Sequence, residues 1–217
     1  MSNNIIDNRR EKIIDHIHAY LPKADMARFA VGYLFISGLE ALGKDLDAIR
    51  ELRLLIGNTS SNKTIEILAE GYRRLDMVAD ILEGEKFLKK TEQKHRYKET
   101  IGNLRESIEL MDQTDQSEEL AAALMRMIEQ KRLKVRIYTK GRLHAKAYIF
   151  DWSQPNPGNS GIAIVGSSNL SLAGIQNNTE LNVLVHDNAN PQNPDDGNHG
   201  ELVRWFDELW GESQDFD

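Results

Sequence analysis

The sequence predicts an α/β fold, a mixed β-sheet flanked by helices and carrying a helical insertion. Three observations predict it. Residues 27–35 (ARFAVGYLF) are almost wholly apolar, as in a strand buried on both faces, and a helix-length segment separates them from a second apolar run, 52–56 (LRLLI). Apolar residues between 62 and 130 recur at spacings of three and four. From Leu133 onward the period changes to two.

The elements follow in order. Residues 4–20 read as a helix, with Asn4 or Asp7 as cap, a stripe of Ile13, Ile17 and Tyr20, and Leu21-Pro22 as its end. After the strand at 27–35, Ser37 caps a helix running to about Arg50, and 52–56 closes on Gly57-Asn58. This β-α-β order implies a parallel pair. The stripe Ile65, Leu68, Tyr72, Leu75, Ala79, Leu82 marks an amphipathic helix over 62–84. Tyr97, Ile101, Leu104, Ile108 and Met111 repeat the spacing, and Leu120, Leu124 and Met127 give another helix over 118–130. No proline falls between Pro22 and Pro155. The region 62–130 is read as two or three helices, with 85–117 an exposed arm within a single domain spanning 1–217. Two roles stand for it: helices covering the sheet, or a coiled-coil-like surface for dimerisation or docking.

Leu133, Val135 and Ile137 alternate with Lys134, Arg136 and Tyr138, and further strands are expected at 143–150, 162–166 and 180–186. The polar stretches WSQPNPGNSG (152–161) and 187–200 read as loops. A short helix over 200–210 closes the chain, its apolar side formed by Leu202, Val203, Phe206, Leu209 and Trp210.

Composition narrows the function classes. The 217 residues contain no cysteine, which excludes disulfides and thiolate metal sites. No apolar run approaches a membrane span, and the N-terminus lacks the pattern of a signal peptide; a cytoplasmic protein with no membrane partner is expected. A formal net charge of −7 argues against a surface coated in phosphate-binding charge. Yet residues 131–146 hold Lys131, Arg132, Lys134, Arg136, Lys140, Arg142 and Lys146 with no acidic residue among them. This run reads either as a solvated strand face or as a track for a nucleic-acid backbone, and its lead into His144 favours the track, with Lys134, Arg136 and Arg142 as substrate-binding residues.

The chemistry-bearing residues cluster late in the chain. His144 and Lys146 stand two apart, on one face of an expected strand. Ser167 and Asn169 stand two apart just past Gly166, where the next strand ends, and Glu180 opens the strand after that. Neighbouring strand ends thus gather an imidazole, an ammonium, a hydroxyl, an amide and a carboxylate. A histidine nitrogen can attack phosphorus and form a covalent intermediate. An ammonium and an amide stabilise charge on the non-bridging oxygens. A carboxylate holds an imidazole in one tautomer and orientation. No metal and no cofactor are needed. Each part alone is common; the ordered set His144-x-Lys146, Asp151, Gly166-Ser167-x-Asn169 and Glu180 carries the specificity.

The stretch 143–182 (LHAKAYIFD…AIVGSSNLSLAGIQNNTELN) resembles the HKD motif of the phospholipase D superfamily. That resemblance implies a mixed sheet flanked by helices and a metal-independent phosphodiesterase or phosphatidyl-type transferase. It implies His144 as nucleophile or its acid/base counterpart, Lys146 and Asn169 as phosphate ligands with Ser167 assisting, Glu180 as support for the imidazole, and Asp151 as a structural residue, with Gly166 part of the motif. A complete site of this kind uses two motifs. None of His16, His18, His95, His186 or His199 has lysine two residues later, so the chain holds half a site, and the family's single-motif members complete theirs as two-fold dimers. A homodimer is expected. Nucleic acid is the expected substrate, because no basic amphipathic helix suited to a bilayer surface is present. The chain is also similar to phospholipase D-like domains found at restriction-type nucleases or ahead of helicase modules, so a C-terminal helicase partner in a longer parent chain is a further expectation. A second reading follows from it: a weakly catalytic module that positions nucleic acid for a linked motor.

Overall fold

The computed structural model describes residues 4–43, 45–57, 115–156, 159–188 and 197–215. Their strands are β1 (Ile5–Asp7), β2 (Ala24–Val31), β3 (Glu51–Ile56), β4 (Leu133–Ile137), β5 (Lys146–Asn156), β6 (Asn159–Gly166), β7 (Leu181–His186) and β8 (Gln214–Asp215). All join one sheet in the order β1-β7-β6-β5-β2-β3-β4-β8. β2, β3 and β4 pair in parallel, whereas β5 is antiparallel to β2, and β6 and β7 continue antiparallel. The sheet is mixed, and the β-α-β unit forms the expected parallel pair.

The helices are α1 (Ile13–Tyr20), α2 (Ile36–Leu42), α3 (Asp45–Ala48), α4 (Asp115–Glu129) and α5 (Asn198–Glu212). Strand alternation divides them between two faces. Phe29, Val31, Leu54, Ile56, Val135, Ile137, Tyr148 and Phe150 join Ile13, Ile17, Leu39, Leu46, Leu124 and Ile128 in the larger core. Ala30, Leu55, Ala147, Ile149 and Ala163 face Phe206 of α5 on the other side. There Phe206 stacks on Trp210, and the guanidinium groups of Arg53 and Arg136 lie 5.7 and 5.0 Å from the Trp210 ring centre. Among the described residues no helix is long and apolar enough to cross a membrane.

Several elements differ from the sequence reading. The helix expected over 4–20 begins only at Ile13; Ile5–Asp7 pairs with β7 as an edge strand. Neither Asn4 nor Asp7 caps it. Asn8 is buried in the intervening turn and its Oδ1 accepts from Ile13 N at 3.0 Å. The strand expected over 27–35 spans Ala24–Val31, because Gly32–Phe35 leaves the sheet to contact the segment after β6. The helix from Ser37 to Arg50 breaks at Gly43, whose φ of 50° belongs to the left-handed region. Ser37 does not cap it; its Oγ accepts from Leu172 N. Within the stretch 152–161, residues 152–156 and 159–161 form no plain loop but the arms of the β5–β6 hairpin. The closing helix is longer than 200–210, spanning Asn198–Glu212. The helix at 118–130 appears as α4, whereas the reading of 62–114, including most of the 85–117 arm, lies outside the described residues.

Asp151 ties α5 to the sheet. It forms an ion pair with the buried Arg28, and His199 Nε2 of α5 lies 3.2 Å from its Oδ1. The His199 ring is buried, 3.1 Å from Phe150 O on one side and 3.1 Å from Ser160 Oγ on the other. Only glycine fits at 161, since a Cβ there would overlap both His199 Nε2 and Phe150 O. Burial pushes the Asp151 carboxyl up, but His199 and Arg28 outweigh that and hold it below the ordinary value. A folded-state pKa below the unfolded one means stabilisation that is complete above the unfolded value and lost as the pH falls through the folded one. Asp151→Asn is therefore expected to cost about 2–4 kcal/mol near neutral pH, because the buried Arg28 would keep only Asp207, 3.4 Å from its Nε, as an ionic partner. It should also flatten the acid limb of stability, which urea unfolding across a pH series measures.

Candidate active site

β2 and β3 are each followed by a glycine, Gly32 and Gly57, and both are buried. A Cβ on Gly57 would fall 2.6 Å from Gly32 O and 2.8 Å from Leu143 O, and one on Gly32 would fall 3.2 Å from Leu143 O and 3.6 Å from Asn169 Oδ1. Backbones from three parts of the chain therefore meet where a side chain has no room. The segment ending in His144 crosses these glycines before β5 starts at Lys146, paired with Val31. His144 thus precedes the strand and does not sit in it, because β2 offers no ladder partner beyond Val31. Lys146 Nζ reaches back and donates to His144 O at 2.8 Å.

The two basic groups have contrasting environments. His144 is exposed, and its ring makes no hydrogen bond to a described residue. Lys146 is only 6% exposed. Burial lowers its pKa, and the charge of Glu180 acts in the opposite direction.

Ser167 and Asn169 follow the end of β6 at Gly166. Ser167 Oγ donates to Glu180 Oε2 and accepts from Leu181 N at 3.1 Å. Asn169 Oδ1 accepts from Tyr33 N at 3.1 Å, which leaves its amide nitrogen for another acceptor. Glu180 also accepts from Asn178 Nδ2 at 3.4 Å. It makes no hydrogen bond to His144: the carboxylate expected to support the imidazole is engaged by Ser167 instead. His144, Lys146, Ser167, Asn169 and Glu180 come to one end of the sheet, and Asp151 lies further along β5, near its middle.

The basic run divides. Lys134 Nζ lies 3.0 Å from Glu51, and Arg136 Nε donates to Asp215 at 2.7 Å while its Nη1 donates to Trp210 O at 2.8 Å. Arg132 donates to the carbonyls of Leu46, Asp47 and Ile49 behind α3, and Lys140 pairs with Glu212 at 3.2 Å. Lys134 and Arg136 are thus part of the packing around β3, β8 and α5. Arg142 is different: it is exposed, two residues before His144, with no ion pair to a described residue.

Other contributors escaped the sequence reading. Asn8 N donates to Glu180 O at 3.1 Å and Asn8 Nδ2 to Gly174 O at 3.0 Å, so the turn before α1 braces the segment leading into Glu180. Tyr148, Ser168 and Asn182 form a buried network under the site. The signal for one of them was available: Tyr148 stands two residues after Lys146, on the same face of β5. Among the described residues no three His, Asp or Glu side chains gather in a way that could hold a metal ion.

The Lys146–Glu180 coupling gives a measurable titration. Lys146 Nζ should titrate below an ordinary lysine, and Glu180→Gln should push it lower still by removing the charge that favours the ammonium. NMR of 13Cε-labelled lysine reads both shifts; an unchanged Lys146 titration in the variant would contradict the coupling.

Two solved structures share the chain's outline. One is a crystal structure of a phospholipase D family member, Nuc from Salmonella typhimurium, at 12% identity and a TM-score of 0.49, covering 97% of this chain and 95% of that one. The other is NucT from Helicobacter pylori, at 12% identity and a TM-score of 0.49, covering 99% of this chain and 98% of that one. No curated protein matches the sequence. A family model described as "Cardiolipin synthase, PLD-like domain" matches residues 49–210, a span that holds every motif residue from His144 to Glu180, and the chain belongs to this phospholipase D-like family.

Proposed function

We propose that the chain is a nuclease-type phosphodiesterase that works through a phosphohistidine at His144, in a site completed by a second copy of itself. One observation carries the reading: an exposed, unengaged His144 stands at the same sheet end as a buried Lys146 and the Asn169 amide. Membership of the phospholipase D superfamily supports phosphodiester chemistry at this place.

In this reading a His144 ring nitrogen attacks phosphorus, the bond to the leaving oxygen breaks, and the imidazolium of the second copy gives that oxygen its proton. A water then returns a proton to the second imidazole while its oxygen attacks phosphorus, and the P–N electron pair goes back to His144. Lys146 and Asn169 stabilise the non-bridging oxygens in both steps, the more strongly because Lys146 is desolvated. Exposed Arg142 ahead of His144 suits a polyanionic substrate.

The need for a second copy has support beyond the single His-x-Lys. Among the described residues the exposed large hydrophobics are Ile5, Tyr33, Phe35, Leu172, Leu181 and Val183. Tyr33, Phe35 and Leu172 lie on the segments next to Asn169, while Leu181 and Val183 follow Glu180, and Val183 pairs with Ile5. A rim of this kind is what an isologous contact across the site would cover.

Two measurements test the proposal. Cleavage of single- and double-stranded nucleic acid and of a chromogenic nitrophenyl phosphodiester should resist a chelator and fall by at least about a thousand-fold in His144→Ala. Equal activity in both proteins would falsify the enzyme reading, and binding without cleavage would mark a positioning module instead. Light scattering should give twice the chain mass, and Leu181→Glu with Val183→Glu should give a folded, inactive monomer. A strictly monomeric wild type that remains active would sink the shared site.

A further inference from the structure

Ser168 stands between Ser167 and Asn169 and is itself fully buried. Its carbonyl accepts from Tyr148 Oη at 2.8 Å, its N–H donates to Asn182 Oδ1 at 3.3 Å, and its Oγ accepts from Asn182 Nδ2 at 2.9 Å. Tyr148 and Asn182 are 0% and 1% exposed. Two buried side chains therefore hold both backbone polar groups and the hydroxyl of the residue that separates the two site residues.

The arrangement is periodic. Tyr148 follows Lys146 by two on β5 and so shares its strand face, and Asn182 is the second residue of β7, two after Glu180. Lys146, Gly166 and Asn182 also stand in one row across the sheet, since Ala147 pairs with Val165 and Gly166 with Asn182. Gly166 admits Asn182: a Cβ there would overlap Asn182 Oδ1 and Leu181 O. Phenylalanine and leucine would fill the same space without buried polar atoms, whose burial is unfavourable unless each is bonded. Here the bonds of both side chains go to the loop that carries Ser167 and Asn169.

We infer that Tyr148 and Asn182 are positioning residues which, acting through Ser168, set Ser167 and Asn169 against Lys146 for the reaction proposed above. The kinetic part of this inference rests on that reading; the structural part does not. Neither residue touches substrate in this assignment. Both act by fixing an amide and a hydroxyl in place before substrate arrives.

The test uses the full chain with Tyr148→Phe and Asn182→Leu, assayed with the nitrophenyl phosphodiester well below the unfolding temperature. Each variant should lose about ten-fold in kcat per folded molecule with KM little changed, as misplacement of a transition-state contact predicts. In an Asn169→Ala background the further loss from Tyr148→Phe should shrink to about two-fold or less, because both changes act on one element. Amide hydrogen exchange supplies a readout independent of activity: protection over residues 167–170 should fall in both variants while that of β2 and β3 holds. A kcat within about two-fold of wild type, or a fully additive double variant, overturns the positioning role. Unchanged exchange over 167–170 overturns it whatever the activity. Should the wild type prove as inactive as His144→Ala, the phosphodiesterase reading falls, and the exchange result alone then decides whether the network positions the loop.

Discussion

The close approach of Gly32, Gly57 and Leu143 fixes where everything else in the site stands. A single Cβ at residue 57 would separate the chain after β3 from both the chain after β2 and the chain before β5. With glycine there, β5 starts level with the end of β2, and Lys146 pairs with Val31. The mixed topology then does the remaining work. β6 runs antiparallel to β5 and so ends at the same edge, and β7 turns back from that edge. Two strand ends and two strand starts converge, which is how residues as far apart as Tyr33 and Glu180 reach one place without a long loop.

Charge is distributed with the same economy. Arg28, Arg53, Arg132, Lys134 and Arg136 all have partners on or beside the sheet, and most serve to fasten α3, α5 or β8. An acidic chain thus spends much of its basic content internally. Lys146 stands apart because, among the described residues, no ion-pair contact compensates its burial; its hydrogen bond goes to the neutral carbonyl of His144. An ammonium in that condition is unfavourable for folding and responds strongly to an arriving phosphate, since its attraction to an anion is poorly screened.

How much of this was legible in the sequence depended on whether a signal was local. The parallel β2–β3 pair, the period-two strand at Leu133–Ile137 and the stripe of α4 were readable because burial writes its period directly onto the chain. The His144-to-Glu180 set was readable as an ordered pattern. The N-terminal strand was not: Ile5 and Ile6 fit a helix equally well, and only pairing with Val183 and Asn182 across most of the chain decides for a strand. Nor could the sequence show that Lys134 and Arg136 were committed, because Glu51 and Asp215 are distant in the chain and acquire those partners through sheet register. Glu180 was expected to open a strand, whereas β7 starts one residue later, and the hydrogen bond of Glu180 to Ser167 follows from the approach of Leu181 to the end of β6.

The spacing between Lys146 and Asp151 follows from the same sheet geometry. Five residues of strand separate them by about 16 Å, and an odd step turns their side chains to opposite faces. Lys146 shares a face with Tyr148 and Phe150, while Asp151 shares one with Ala147 and Ile149. Asp151 therefore lies away from His144; it meets Arg28 and His199 under α5. One strand thus carries the reactive end of the motif on one face and the fastening of α5 on the other. A motif read as a single functional unit in sequence is, in the fold, two devices sharing a backbone: one that holds a buried ammonium at the end of the sheet, and one that fastens α5 to the same strand.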